Sequence, residues 1–160
     1  MGKKKKRVYA HYGASRFEPS KFCPVKNLAI PWVKPYRTSG LWASPMDSKY
    51  GWKQWCTQEN FQTERLNSSF RFILKDNAKV AHVRNLTDLH RLPEREDAAN
   101  MCYNIDFEAL AKEYDAIEVH LTEDVSGELY YYLYGWDCDS ILILNPDVVE
   151  EIEYEAGKNC

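Results

Sequence analysis

The sequence lacks the features that would assign it to several common classes of protein. No apolar run among its 160 residues approaches the length of a membrane span, which needs about 20 residues. No apolar stretch follows the basic residues 3–7, so this segment is not a secretory signal. The net charge of −3 argues against a surface built for nonspecific binding of nucleic acid. We therefore expect a cytoplasmic protein with no membrane partner.

Cysteine motifs are also missing. The five cysteines are irregularly spaced and form no CxxC pair, so we predict reduced thiols and no metal site. The sequence has no internal repeat and no long linker. Its length suits one domain over residues 1–160, with a frayed basic end at residues 1–6. A hydrophobic content of 44% and a charged content of 28% are typical of a globular domain.

Aromatic residues are concentrated in residues 40–56, which hold three of the five tryptophans. Residues 40–43 follow a turn signal and predict a short strand, which the following Ser-Pro ends because proline cannot donate to a ladder. A helix is then expected to begin near Lys49. Asp47 or Ser48 is its expected N-cap.

The tryptophans of this segment predict a flat aromatic surface. On such a helix Trp52 and Trp55 share one face, because they are three residues apart. Together with Trp42 on the preceding strand, they predict a shelf on which a flat ring could stack. The alternative interpretation is that the three rings belong to the core, since aromatic residues dominate cores.

The remaining elements follow from alternation and helical spacing, and they predict an α+β fold. We expect strands at residues 7–13, 70–74, 79–83, 114–119, 129–134 and 141–144, a hairpin over residues 70–83, and helices at residues 86–92 and 107–113. Asn85 or Thr87 and then Asp106 are the expected N-caps of the two helices. The tail from Glu150 is acidic and is expected to be frayed.

Two further stretches carry side chains capable of chemistry. His11 lies toward the end of the first strand. Residues 141–144 form a continuous apolar run, which predicts a central strand buried on both faces. Before it, Asp137 and Asp139 would lie on one face of the strand and Ser140 on the other. An ordinary turn at the strand entry is the alternative interpretation of the two aspartates.

Taken in order, these stretches resemble the ADP-ribosyltransferase superfamily, in particular its poly(ADP-ribose) polymerase branch. His11-Tyr-Gly resembles the end of the family's first strand. Gly40-Leu-Trp-Ala resembles its nicotinamide-binding segment, with a tryptophan where a tyrosine usually stands. Tyr114-Asp-Ala-Ile resembles the phrase that leads into the family's late strands. Residues 140–149 resemble the late strand that begins with the catalytic glutamate, although no glutamate precedes it here.

The resemblance implies a fold of two small antiparallel sheets around an NAD cleft, with flanking helices. It implies that His11 bonds the adenine-side ribose, that backbone groups of Gly40 hold the nicotinamide amide and that Trp42 stacks on the nicotinamide ring. Asp139 would replace the catalytic glutamate, with Ser140 as the competing register. Further expected contacts are the hydroxyls of Ser44 and Ser48, a second wall from Tyr50, Trp52 or Trp55, and pyrophosphate contacts from Lys34 and Arg37.

The implied function is transfer of ADP-ribose from NAD to a protein or nucleic-acid acceptor, with release of nicotinamide. Because the glutamate is missing, an inactive module of the same fold that binds NAD or ADP-ribose stays open as an alternative. A third alternative is an NAD-using RNA 2′-phosphotransferase. The sequence has no basic cluster for an RNA phosphate beyond residues 3–7, which disfavours this third alternative.

Overall fold

The computed structural model describes residues 6–36, 38–96 and 101–153. This part of the chain is an α+β protein with seven strands and four short α-helices. The strands are β1 (Tyr9–Tyr12), β2 (Leu41–Pro45), β3 (Ser69–Leu74), β4 (Val80–Val83), β5 (Ala116–Val119), β6 (Ser140–Ile143) and β7 (Val149–Ile152). The helices are α1 (Trp52–Glu59), α2 (Leu86–Leu89), α3 (Phe107–Leu110) and α4 (Glu128–Tyr132), and 3-10 turns lie at Pro19–Lys21, Thr63–Asn67, Leu121–Glu123 and Pro146–Val148.

All seven strands belong to one sheet, in the order β4-β5-β6-β2-β1-β3-β7. Neighbouring strands are antiparallel except β4 and β5, which are parallel. The sequence predicted two antiparallel sheets, and the structure has one mixed sheet instead. Its two parts meet at a short ladder, because β1 and β2 pair only through Tyr9 with Pro45 and Ala10 with Ser44.

Strand β6 lies in the middle of the sheet with cores on both faces. Leu142 packs on one face, in a cluster that includes Trp136. Ile141 and Ile143 pack on the other face, in a cluster that includes Tyr9. The prediction of a central strand buried on both sides is therefore confirmed. Because successive side chains alternate, residues next to each other along β6 face different surroundings.

The two predicted helix caps are confirmed. The Asn85 side chain accepts a hydrogen bond from the Asp88 N–H at 2.9 Å, at the start of α2. The Asp106 side chain accepts one from the Ala109 N–H at 3.0 Å, at the start of α3. In each case the side-chain oxygen satisfies a backbone donor that has no partner within the helix.

The predicted strand at residues 129–134 is wrong, since most of this segment is helix α4. Leu129 and Leu133, four residues apart, are fully buried, whereas Tyr131 is 77% exposed. That spacing is the period of a helix. The segment was predicted as a strand because the tyrosines between the two leucines are strand formers.

Three other predictions of local structure are also wrong. Strands β3 and β4 form no hairpin, because β3 pairs with β1 and β7 while β4 pairs with β5. Glu150 is not in a frayed tail but in β7, opposite Ile73 of β3. Helix α1 begins at Trp52 after Gly51, and not at Lys49. The expected cap Ser48 donates instead to a carboxylate of the β6 entry.

Two compositional expectations can be compared with the structure. Cys23, Cys56 and Cys138 are free thiols, in agreement with the prediction of reduced cysteines. Among the described residues, no helix combines the length and apolar character that a membrane crossing requires.

Candidate functional site

A cavity of about 760 Å³ opens where β1 and β2 stop pairing. Beyond the short ladder between these strands, side chains from the C-terminal end of β1, from β2 and from the entry of β6 line the cavity. The proline-rich segment before β2 covers it and contributes Trp32, Lys34 and Tyr36. The separation of the two strands thus creates a concave site at the middle of the sheet.

His11 bridges the gap between the two strands. Its Nδ1 lies 2.6 Å from the carbonyl oxygen of Trp42, so Nδ1 carries the proton and donates it. Burial lowers the pKa of His11 below its ordinary value of 6.5; the bond to Trp42 opposes this and the nearby Arg65 guanidinium adds to it. His11 is therefore neutral at neutral pH, and its Nε2 carries the lone pair that can accept from a ligand hydroxyl.

The Trp42 ring forms one aromatic wall of the cavity together with Trp136. The two rings meet edge to face, with centroids 4.8 Å apart and planes inclined at 63°. Trp136 is 1% exposed and donates from Nε1 to the Val33 carbonyl at 2.7 Å, so Trp42 packs against a buried, hydrogen-bonded ring. The Lys34 ammonium lies 5.8 Å from the centroid of the Trp42 ring.

Trp52 supplies a second aromatic lining residue. It lines the cavity from α1 and stacks on Trp55, with centroids 5.1 Å apart and planes inclined at 17°. Trp55 also meets Phe61 edge to face and does not itself line the cavity. The helix therefore contributes one wall residue and one support, whereas the sequence treated the two as equivalent.

The charged lining is mostly cationic. Lys34 and Arg65 both line the cavity, and the Arg65 guanidinium lies beside Gly13 at the end of β1. Among the described residues that line the cavity, Asp137 is the one carboxylate. Arg37, the second predicted pyrophosphate contact, lies outside the described residues. Lys34 therefore lines the cavity, together with Arg65, a second cation that was not predicted.

Asp139 does not line the cavity, so its predicted catalytic role has no support in its placement. Its carboxylate is 4% exposed on the opposite side of β6. It accepts hydrogen bonds from the Thr122 N–H at 2.9 Å, the Thr122 hydroxyl at 2.6 Å and the Ser48 hydroxyl at 2.7 Å. The physical reason is alternation along β6, which turns Asp139 to the face of Ile141, away from Trp42. Asp137 precedes the strand and lines the cavity, so the prediction that the two aspartates share one face is wrong.

Ser140 faces the cavity in place of a carboxylate. Its hydroxyl donates to the Cys138 carbonyl at 3.0 Å. Burial raises the pKa of the neighbouring Cys138 thiol to about 11, which makes this thiol a poor nucleophile at neutral pH. The competing register named from the sequence is thus the one that points into the cavity.

Three predicted polar contacts are committed to the fold. The Ser44 hydroxyl donates to the Asp139 carbonyl at 2.8 Å and accepts from the Trp52 N–H at 2.9 Å, so it caps α1 although it borders the cavity. The Ser48 hydroxyl donates to Asp139. Tyr50 donates from its hydroxyl to Gln58 at 2.7 Å, away from the cavity.

Gly40 borders the cavity, but it has a packing role. Its φ of +73° favours glycine, and a Cβ there would lie 2.6 Å from the Leu142 side chain. Its N–H already donates to the Cys23 carbonyl at 2.8 Å, so that donor is not available to a nicotinamide amide.

Two lining residues of importance were not identified from the sequence. Trp136 could have been found by counting back in twos from Ser140, since these positions share the face of Leu142. Arg65 lies in the 3-10 turn Thr63–Asn67, and nothing in the sequence around it indicates a binding role. Its position follows from tertiary packing alone.

Comparisons of the chain with models of protein families, with curated proteins and with solved structures find no match. The geometry of the cavity and the resemblance of the motifs that line it are therefore the grounds for assigning a function.

Proposed function

We propose that the cavity binds NAD and that the protein transfers ADP-ribose to a macromolecular acceptor. One observation carries the proposal: three separate segments that resemble the family's motifs, containing His11, Trp42 and Ser140, converge on the same cavity. They are distant in the sequence, and β1, β2 and β6 bring them together as neighbouring strands.

The lining suits the parts of NAD. Pockets for small ligands and cofactors are about 300–1,000 Å³, and this cavity of about 760 Å³ lies in that range. The positively charged nicotinamide ring can stack on Trp42, because a cation is attracted to an indole face. Lys34 and Arg65 supply the two positive charges that a pyrophosphate requires.

His11 and Asp137 have distinct roles in the proposed reaction. His11 Nε2 accepts a hydrogen bond from a ribose hydroxyl and so orients the adenosine half of NAD. The bond between the ribose C1′ and the nicotinamide nitrogen breaks, and nicotinamide leaves with the bonding electrons. Asp137 stabilises the positive charge that develops on the ribose and accepts the proton of the acceptor as it bonds to C1′.

A second candidate function is binding of NAD or ADP-ribose without transfer. The observation in its favour is Ser140, which occupies the cavity side of the β6 entry while Asp139 is turned away. In this case Asp137 borders the cavity without acting on the ribose.

Calorimetry with NAD tests the binding step. Trp42→Ala should weaken NAD binding by about 1–3 kcal/mol, whereas Trp42→Tyr should keep most of the affinity. Tyr131→Ala, which removes an exposed ring of α4 outside the cavity, is the matched control and should have no effect. If the folded protein does not bind NAD at millimolar concentration, both candidate functions are wrong.

Labelled NAD separates the two candidates. In the enzyme, Asp137→Asn should lower release of nicotinamide by about 10²-fold or more and leave NAD affinity nearly unchanged, since the charge acts mainly in the transition state. Ser140→Ala is the control that keeps the carboxylate. If NAD binds but the wild-type protein releases no nicotinamide and labels no acceptor, the protein is a binding module.

A further inference from the structure

A second group of polar side chains lies on the other side of the sheet from Trp42, near its β4 edge. In the parallel ladder of β4 and β5, His82 is the register partner of Glu118. His120 follows Glu118 by two residues and therefore points to the same face. Glu118 is fully buried and His120 is 3% exposed, while His82 is exposed at the surface.

The three side chains direct their ligand atoms at one point. His82 Nδ1 lies 3.0 Å from His120 Nε2, and His120 Nε2 lies 3.1 Å from Glu118 Oε2. All three atoms lie within 4.8 Å of one another. In a tetrahedral zinc site with bonds of about 2.0–2.1 Å, neighbouring ligand atoms are roughly 3.3 Å apart, so small shifts would accommodate the ion.

Hydrogen bonds alone do not satisfy this arrangement well. His120 Nε2 can carry one proton, which can point at His82 or at Glu118 but not at both. If instead His82 donates to His120, the lone pair of His120 faces the lone pair of an ionised carboxylate. A metal ion accepts all three lone pairs at once and removes the conflict.

The surroundings of His120 favour Nε2 as the ligating atom. Its Nδ1 lies 3.7 Å from a carboxylate oxygen of Glu123, and Glu123 in turn pairs with Arg84 at 3.2 Å. A carboxylate on the far nitrogen is the usual support of a metal-bound histidine, because it fixes the tautomer and the ring orientation.

We propose that His82, Glu118 and His120 form a site for a divalent transition metal ion of the zinc type. Two imidazoles and one carboxylate are ligands that zinc accepts, with water in the fourth position. The exposed side of His82 leaves that position open to solvent. Since β4 is an edge strand, the ion would fasten this edge to β5.

Arg7 is the natural competitor of the ion. Its guanidinium lies 2.5 Å from Glu118 Oε2, and the Tyr9 hydroxyl donates to the other carboxylate oxygen. Arg7 also lies 3.4 Å from Asp47, toward which it can move. Both cations use the same carboxylate, so removing the charge of Arg7 should strengthen metal binding.

The test measures zinc binding to the full, untagged chain by competition with a coloured chelator. We expect one zinc ion to bind per chain. The midpoint of thermal unfolding should rise on addition of zinc but not of magnesium, because imidazole is a poor ligand for magnesium. Cobalt should give the visible absorption of a four-coordinate ion. Arg7→Gln should raise the zinc affinity several-fold.

The variants identify the ligands. His82→Ala should lower the affinity by about 10²-fold or more, and because His82 is exposed this variant should fold even if His120→Ala does not. His90→Ala, which removes an exposed histidine outside the cluster, is the matched control and should bind zinc like the wild type. If His82→Ala and His90→Ala bind zinc equally, or if the wild type binds none at micromolar concentration, the cluster is a plain ion-pair network and the proposal is wrong.

Discussion

The two aspartates of the β6 entry have opposite surroundings. Asp139 is buried and accepts three hydrogen bonds from Thr122 and Ser48. Asp137 is half-buried at the cavity and makes no side-chain hydrogen bond to another described residue. A buried polar group with all its partners stabilises the fold, whereas one left open can bind a ligand. The sequence alone ranked the two aspartates the other way round.

Trp136, which packs against Trp42, gives the most severe test of this contrast, because it belongs both to the cavity lining and to the core. Trp136→Ala should lower the free energy of unfolding by about 3–5 kcal/mol, since it removes a fully buried ring and leaves a cavity. Urea denaturation measures this loss. Trp136→Phe, which keeps a ring but loses the bond to Val33, should lose less. A loss below about 1 kcal/mol for the alanine variant would mean that the wall is not part of the core.

The two aspartates sharpen the comparison directly. Asp139→Asn should lower the free energy of unfolding by about 1–3 kcal/mol. The reason is that an amide NH2 cannot accept the hydrogen bonds that the Ser48 and Thr122 hydroxyls donate to the carboxylate. Asp137→Asn should change it by about 0.5 kcal/mol or less. NAD affinity of the folded Asp139→Asn variant should equal that of the wild type. The reverse ranking of the two stabilities would overturn the assignment of the faces.

The smallest expected effect concerns the pH dependence contributed by His11. Because its pKa is lowered in the folded protein, the unfolded chain binds the proton more tightly. The stability contributed by neutral His11 is therefore present above pH 6.5 and is lost as the pH falls below that value. The difference in unfolding free energy between wild type and His11→Gln should shrink, by less than about 1.4 kcal/mol, between pH 7.5 and 5.5. Comparing the two proteins cancels the contributions of the other histidines to the pH dependence. A difference in unfolding free energy that grows as the pH falls would contradict the burial of His11.

The sequence predicted well those elements whose signals are local. The apolar run of β6 and the helix caps Asn85 and Asp106 depend on a few adjacent residues, and the structure confirms them. The resemblance also grouped His11 with Trp42, and both residues line the same cavity. These inferences needed no knowledge of which distant segments pack together.

The remainder depends on register and tertiary packing. The face on which Asp139 lies follows from where β6 begins, and a shift of one residue exchanges it with Ser140. The position of Arg65 at the cavity follows from the docking of a 3-10 turn against β1. The grouping of His82 with Glu118 follows from the parallel pairing of β4 with β5, which the sequence did not predict. None of these arrangements has a signature in the neighbouring sequence.

The pairing of β2 with β6 has a consequence for how the protein folds. Leu41 pairs with Ile143, so this central ladder joins segments on the order of a hundred residues apart, and such contacts slow folding toward the millisecond-to-second range. During synthesis, β2 can pair with β1 through two residues, but it must wait for β6 to leave the ribosome before its longer ladder can form. The aromatic residues that line the cavity therefore stay exposed on the growing chain until the late strands are made. Exposed apolar surface of this kind is prone to aggregation, so a chaperone would protect this region during synthesis.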